Sequence, residues 1–152
     1  QALNRFFNRD LSKAELFITL FYLRLDPESR RFSYASAGHN PPLLFRAATG
    51  KCLLLDAEGL ILGIKEEVTF EEKTETLAPG DILLLYTDGI IEARDDNQEL
   101  FGEARLRIFL KNSRKLHPTE IAVELLNTVR QFSGRESLED DVSLVIIKVE
   151  EK

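Results

Sequence analysis

Apolar and polar positions divide the chain into a series of short strands followed by helices. Aromatic, β-branched and leucine side chains concentrate in short segments that Pro, Gly, Asn or Asp interrupt, which is typical of strands and turns. The predicted strands are residues 16–25, 31–37, 43–46, 51–55, 67–77, 82–86 and 142–149. The two-proline segment 38–42 predicts a shaped loop, because neither proline can donate a ladder hydrogen bond.

Two predicted strands are continuously apolar. Residues 82–86 read ILLLY and residues 142–149 read VSLVIIKV, a composition that indicates strands in the centre of a sheet. In contrast, residues 67–77 alternate in part, with Val68 and Phe70 on one face, which predicts a strand that is wet on the other face.

Helical spacing occurs in three places. The first seven residues have apolar side chains at positions 3, 6 and 7, so we expect the chain to begin within a helix. Residues 102–111 and 118–132 also have one apolar face, and the second has proline at its start and Gly134 just beyond its end. Strands followed by helices, without regular alternation, predict an α+β fold.

Length and composition restrict the class of protein. A chain of 152 residues with 43% hydrophobic and 30% charged residues suits one globular domain. Apolar runs are shorter than the roughly 20 residues of a membrane span, so we expect no membrane association. The net charge of -6 disfavours nucleic acid as a partner. The single cysteine, Cys52, and the absence of a signal-peptide pattern predict a cytoplasmic protein with a buried, unreactive thiol.

Two acidic clusters adjoin the strands predicted to be central. Thr87, Asp88 and Gly89 follow ILLLY, and Asp140 and Asp141 precede VSLVII. If the clusters converge, their mutual repulsion requires a shared proton, a basic partner or a hard divalent cation such as Mg²⁺ or Mn²⁺. Because neighbouring side chains of an extended segment point to opposite faces, we expect only one of Asp140 and Asp141 to bind a cation.

The same residues also have a purely structural interpretation. An aspartate between a strand and a glycine is commonly a turn or N-cap residue, and this alternative stays open for Asp88 and for the Asp140-Asp141 pair. His39, in the loop that contains two prolines, is by the same reasoning a hydrogen-bonding brace rather than a general base. With one cysteine and two histidines, the chain has no cluster suited to zinc.

Four segments occur in a recognisable order: FITLFYLRLDPESRRFSYASAGHNPPLL, LAPGDILLLYTDGIIEARD, the FG at residues 101–102 and LEDDVSLVIIKV. Together they resemble the SpoIIE/RsbU-type branch of the metal-dependent protein phosphatases (the PPM superfamily). The resemblance covers nearly the whole chain. It implies an αββα sandwich, in which two mainly antiparallel sheets are flanked by helices, with a two-metal Mn²⁺ or Mg²⁺ site between the ends of the sheets.

The resemblance also implies roles for individual residues. Asp88 and Asp140 match metal ligands of the family and would be the catalytic residues. Gly89, Asp141 and His39 would support the site or the surrounding structure without binding metal. The implied reaction is hydrolysis of phosphoserine or phosphothreonine by a metal-activated water. The implied substrate is a regulatory protein such as a phosphorylated STAS-type anti-anti-sigma factor.

The chain departs from the family pattern in one respect. Relatives carry an upstream Gly-Asp-aromatic motif and an Asp-x-x-Gly-His-Gly motif, and neither occurs here. We therefore expect residues 1–152 to be a single domain, the N-terminally truncated C-terminal part of a PPM-type phosphatase domain. In the parent chain, a sensor or receiver domain would precede it. Lacking part of the ligands and strands, the chain alone should be a weak enzyme and should tend to self-associate.

Two other functions are compatible with the sequence. One is a noncatalytic module that keeps the phosphatase fold and docks a STAS-type partner. The other is an unrelated α+β domain in which the acidic residues only cap turns.

Overall fold

A computed structural model describes residues 2–135 and 140–150 of the chain. Its elements, in chain order, are α1 (Ala2–Ala14), β1 (Leu20–Asp26), β2 (Arg31–Ala37), β3 (Leu43–Arg46), β4 (Lys51–Leu54), β5 (Lys73–Thr76), β6 (Ile82–Tyr86), a 3₁₀ helix (Asp88–Ile90), α2 (Gly102–Asn112), α3 (Pro118–Ser133) and β7 (Leu144–Lys148). Within this part of the chain, the strands form two antiparallel sheets with the orders β1-β2-β5 and β4-β3-β6-β7.

The chain divides into two compact units, and each contains one of the sheets. The first unit comprises Gln1–Pro41 and Leu55–Leu77, and the second comprises Pro42–Leu54 and Ala78–Lys152. The expectation that residues 1–152 form a single domain stays a prediction.

In the first unit, β1 and β2 form a hairpin whose turn is fixed by Asp26. The Asp26 carboxylate accepts hydrogen bonds from the Ser29 hydroxyl at 2.7 Å and the Glu28 amide at 3.0 Å. These bonds favour the charged form and lower the pKa of Asp26, with the Ser29 bond contributing most. Strand β2 alternates as the sequence predicts, and Phe32 and Tyr34 are buried.

Helix α1 is attached to the first unit through a polar side chain. The buried residue of this helix is Asn4, whose amide donates to the carbonyls of Lys65 and Glu66 at 2.8 and 2.9 Å. Its carbonyl oxygen also accepts the Gly63 amide at 3.3 Å. The predicted helix is present, but its apolar residues divide between two faces, because Phe6 is 75% exposed whereas Phe7 and Leu11 are half-buried on the side of Asn4. Helical spacing alone did not distinguish these two faces.

The second unit is built around β6, which lies between β3 and β7. One hydrophobic cluster joins alternate residues of β3 and β6 to the inner faces of α2 and α3. Its buried members are Leu43, Phe45, Ile82, Leu84, Tyr86, Ile90, Phe101, Leu106, Leu110, Ile121, Leu125 and Val129. The intervening Leu44 and Leu83 are fully buried as well, so the prediction that β6 is covered on both faces is confirmed.

Three predictions about strands need correction. Of residues 67–77, only Lys73–Thr76 is a strand, because Glu71 instead pairs with the irregular segment at Glu58 through both backbone and carboxylate. The first strand begins at Leu20 rather than at residue 16. Strand β7 is an edge strand of the described sheet, and its Val145 is 56% exposed, because only alternate residues join the core.

Both predicted helices of the second unit are confirmed. In α3, the Glu120 carboxylate accepts the His117 amide while the His117 ring accepts the Thr119 amide. Gly134 ends this helix in the left-handed conformation, at φ 66°. Among the described helices, none is long and apolar enough to cross a membrane.

The start of β6 is held by a buried ion pair. Asp81 is 1% exposed, and its carboxylate accepts the Arg46 guanidinium at 2.9 Å. The same carboxylate accepts the backbone amides of Ala47 at 2.9 Å and Ala78 at 3.0 Å. One side chain therefore joins the end of β3 to the turn that precedes β6.

We predict that Asp81→Ala lowers the free energy of unfolding by about 2–4 kcal/mol, because it removes the bond of the buried carboxylate to Arg46 and takes the acceptor away from two backbone amides. Urea denaturation measures this loss. Glu99→Ala, which removes the exposed pair with Arg105, is the control and should cost much less. Equal losses for the two variants would contradict this account of Asp81.

We also predict an alkaline destabilisation through Tyr86, which is 4% exposed. Burial raises the pKa of Tyr86 to about 12. Between pH 10 and 12 the unfolded chain therefore loses the phenolic proton first, and stability falls as pH rises. At pH 11 this loss should be about 1 kcal/mol, measured by urea denaturation against pH 9. Tyr86→Phe should remove this part of the pH dependence, and an unchanged dependence would refute the assignment.

Candidate active site

Asp88 lies where β6 leaves the sheet. After Tyr86, Thr87 is extended, at φ -89° and ψ 161°, and the 3₁₀ helix starts at the next residue. This helix is anchored by Ile90, which is fully buried and whose amide bonds to the Thr87 carbonyl at 3.2 Å. As a result, the backbone around Asp88 is fixed while its side chain stays exposed.

In the described part of the chain, no residue bonds to the Asp88 carboxylate. It makes no hydrogen bond or ion pair within residues 2–135 and 140–150, and the N-cap position of the 3₁₀ helix belongs to Thr87. The turn or N-cap alternative that the sequence left open for Asp88 therefore has no bond to support it. An exposed carboxylate on a rigid backbone is available to a ligand.

Asp140 and Asp141 lie just before β7, and both are exposed. Oδ1 of Asp140 accepts the amide of Asp141 at 2.8 Å, the kind of local bond that the structural interpretation predicts. Within the described part of the chain, Oδ2 of Asp140 has no such bond. Asp140 thus stabilises its own turn through Oδ1, and its Oδ2 is available to a ligand.

The two acidic segments touch at Gly89. A Cβ atom placed on Gly89 would lie 2.9 Å from the carbonyl oxygen of Asp141 and 3.5 Å from Cβ of Asp140. It would also lie 3.1 Å from Cγ2 of Val142. Glycine therefore permits a contact that any other residue would push apart, and this contact brings the segments of Asp88 and Asp140 together.

Thr87, a member of the first cluster to which the sequence assigned no role, bonds the same two segments. Its amide donates to the Ser143 carbonyl at 3.0 Å, and its Oγ1 accepts the Ser143 amide at 3.0 Å. The hydroxyl donates to the Asp141 carbonyl at 3.3 Å. The only signal in the sequence is a threonine at a strand end, and it does not reveal a partner 56 residues away.

His39 belongs to the first unit, where it braces a loop. Its Nδ1 lies 3.1 Å from Oγ1 of Thr19, and its carbonyl accepts the Ser36 hydroxyl at 3.4 Å. Gly38, at φ 69°, provides the left-handed backbone that starts this loop. These contacts agree with the bracing interpretation, and a supporting role of His39 toward the predicted metal site stays a prediction.

The donor set fits part of a hard-cation site. Asp88 and Asp140 provide carboxylate oxygens, which Mg²⁺ and Mn²⁺ prefer. Within the described ranges, no group of three or more His, Cys, Asp or Glu side chains could hold a metal ion. The rest of a coordination shell would have to come from water, a phosphorylated substrate or groups beyond these residues.

Cys52 is a poor candidate for chemistry. It is half-buried rather than buried as expected, and its Sγ lies 3.9 Å from the Arg107 carbonyl. Burial raises the pKa of the Cys52 thiol, despite the opposing charges of Arg107 and Lys111. The thiol is therefore protonated and weakly nucleophilic at neutral pH.

Comparison with known proteins agrees with the fold. The family described as Stage II sporulation protein E (SpoIIE) matches residues 1–150. The chain belongs to the SpoIIE family. It is 35% identical over 146 residues to phosphoserine phosphatase RsbU of Bacillus subtilis (strain 168), a match that covers 96% of this chain and 43% of that protein.

Other members of the SpoIIE family are matched over a smaller part. Phosphoserine phosphatase RsbP of Bacillus subtilis (strain 168) is 33% identical over 90 residues, which are 59% of this chain and 22% of that protein. The chain thus spans less than half the length of these curated relatives.

Solved structures show the fold. The SiaA-PP2C domain of Pseudomonas aeruginosa superposes with a TM-score of 0.81 at 18% identity, covering 97% of this chain and 58% of that chain. The phosphatase domain of SpoIIE from Bacillus subtilis, presoaked with Mn, superposes with a TM-score of 0.68 at 22% identity, covering 88% and 57%. The predicted α+β fold of the PPM type, with two antiparallel sheets and helices, is confirmed.

We predict that Gly89→Ala weakens the candidate metal site. The added Cβ would meet the Asp141 carbonyl oxygen at 2.9 Å, so the two acidic segments must move apart. We expect about tenfold weaker Mn²⁺ binding in isothermal titration calorimetry. Gly50→Ala is the matched control: it meets nothing within 4 Å, although its φ of 67° adds backbone strain. Unchanged Mn²⁺ affinity of Gly89→Ala would show that the contact does not shape the site.

Proposed function

We propose that this chain carries the site of a metal-dependent protein phosphatase that hydrolyses phosphoserine or phosphothreonine. The observation that supports this most is the contact at Gly89, which brings two segments with exposed aspartates together. The chain belongs to a family in which relatives are named phosphoserine phosphatases. This membership supports a role of the two carboxylates in hydrolysis of a phosphate ester.

Asp88 and Asp140 are the residues that would hold the cations, one contribution from each side of the Gly89 contact. Divalent ions, when bound, offset the charge of phosphate oxygens and acidify water, which provides a nucleophile at neutral pH. Mn²⁺ and Mg²⁺ are the proposed ions, since the donors are carboxylates. One solved relative was presoaked with Mn, and RsbX, another, was solved in complex with magnesium.

The electrostatics of the site support a requirement for cations. Asp88, Asp140 and Asp141 are all exposed, and no salt bridge of the described residues includes them. A phosphoryl group would meet uncompensated negative charge here. Only bound cations would turn this surface from repelling phosphate to attracting it.

The proposed substrate is a phosphorylated regulatory protein, of which a STAS-type anti-anti-sigma factor is the expected kind. A sensor or receiver domain in the same parent chain would control the reaction, and the cytoplasm is the proposed location. The relatives named phosphoserine phosphatases RsbU and RsbP support phosphoserine as the group that is hydrolysed.

A noncatalytic docking module is the second candidate. The observation in its favour is that no cluster of three or more metal-binding side chains lies in the described part of the chain. In this case the same surface would bind the partner protein and leave its phosphate intact.

We predict that hydrolysis of a phosphoserine peptide by this chain is weak, depends on added Mn²⁺, and falls at least about tenfold in Asp88→Asn and in Asp140→Asn. Asp141→Asn should stay within about threefold of wild type, because we expect only one of the two neighbouring aspartates to bind a cation. Phosphate release measures the rate. Asp96→Asn, an exposed aspartate in another loop, is the control for charge alone.

Rapid Mn²⁺-dependent hydrolysis that survives Asp88→Asn would contradict the site. Binding of the phosphopeptide without any release of phosphate, in a chain that does bind Mn²⁺, would favour the docking module instead.

A further inference from the structure

We infer that the Thr87 hydroxyl is a positioning group that sets the separation of the Asp88 and Asp140 carboxylates. This inference rests on the proposed function, because it assigns a role in a site where both carboxylates hold cations. Thr87 would act through the backbone of residues 141–143 and would not touch the cation or the substrate.

The first observation is a helix cap that is not used. Thr87 occupies the N-cap position of the 3₁₀ helix, where threonine ordinarily accepts an amide of its own helix through Oγ1. Here the side chain makes no such bond. The hydroxyl therefore bonds to a partner outside the 3₁₀ helix.

The second observation is the partner. Strands β6 and β7 pair up to Tyr86 and Leu144, and the Thr87 amide adds one further backbone bond to the Ser143 carbonyl at 3.0 Å. The hydroxyl then accepts the Ser143 amide at 3.0 Å and donates its proton to the Asp141 carbonyl at 3.3 Å. The Ser143 carbonyl lies farther from Oγ1, at 3.5 Å. A single hydroxyl thus extends the pairing to the residue next to Asp140.

The third observation is that both neighbours of Asp88 contact the same carbonyl. Thr87 bonds to the Asp141 carbonyl, and Gly89 approaches it so closely that a Cβ would lie 2.9 Å away. Asp88 is therefore flanked on each side by a contact with Asp141. Two such contacts fix the relative position of the acidic segments, which a single contact would leave free to pivot.

This restraint matters because the acidic side chains repel each other. Without cations, the repulsion between the like charges of Asp88 and Asp140 favours separation of the two segments. A metal site tolerates displacements of only about 0.5 Å. The Thr87 bonds oppose this separation and hold the carboxylates ready for the cation.

The test compares three variants of the 152-residue chain. Thr87→Val keeps the shape of the side chain and suits the extended backbone, but it removes the hydroxyl. Thr87→Ser keeps the hydroxyl. Thr128→Val is the matched control, since it removes a hydroxyl that bonds to the Glu124 carbonyl of α3, also in the second unit. Isothermal titration calorimetry measures the Mn²⁺ affinity, and hydrogen exchange measures protection of the Ser143 amide.

We expect Thr87→Val to bind Mn²⁺ about tenfold more weakly and to exchange the Ser143 amide faster, while Thr87→Ser stays within about threefold of wild type in affinity. Thr128→Val should match wild type in both measurements. If Thr87→Val does not fold, Thr87→Ala removes the same hydroxyl without a new methyl group and takes its place.

The outcomes separate this inference from the proposed function. Wild-type Mn²⁺ affinity in a folded variant that lacks the hydroxyl overturns the inference alone. Faster exchange at Ser143 with unchanged Mn²⁺ affinity also overturns it, because the hydroxyl would then be merely structural. A wild-type chain that binds no Mn²⁺, or binds it equally well as Asp88→Asn, overturns the proposed function and the inference together.

Discussion

The antiparallel pairing of β6 with β7 is the constraint on which the candidate site depends. Because Tyr86 pairs with Leu144, the residues that follow one strand and precede the other must emerge at the same end of the sheet. Asp88 and Asp140 are 52 positions apart in sequence, yet this register places their segments in contact through Gly89. Sheet register, rather than a local motif, assembles the site.

An aspartate lies near each end of strand β6, and the two differ in burial and in hydrogen bonding. Asp81 is buried, and its oxygens are bonded to Arg46 and to two backbone amides. Asp88 is exposed, and no described residue donates to its carboxylate. Because it is buried and fully bonded, the Asp81 carboxylate stabilises the fold. The exposed Asp88 carboxylate lacks such donors, so it is available to a ligand.

Much of the second unit could be predicted from sequence, because its signals are local. ILLLY predicts a buried strand, and proline and Gly134 mark the ends of α3. The prediction of strands failed where it depended on which elements lie beside a segment, because composition does not reveal these neighbours. Val145 is as apolar as the residues of β6 but lies exposed on an edge strand, and residues 67–72 alternate like a strand without forming one. For the candidate site, position beside a strand made Asp88 and Asp140 the predicted ligands, whereas the proposed role of Thr87 depends on a strand pairing that only the three-dimensional structure reveals.

The polar attachment of helix α1 determines how its detachment would respond to temperature. The buried residue of this helix is Asn4, held by three directional bonds, while Phe6 faces solvent. Release of the helix would break those bonds and would also expose the half-buried side chains of Phe7 and Leu11. Because the heat capacity of a transition depends on the apolar area that it exposes, the heat capacity of detachment would come from these two side chains, whereas the three polar bonds would contribute mainly to its enthalpy.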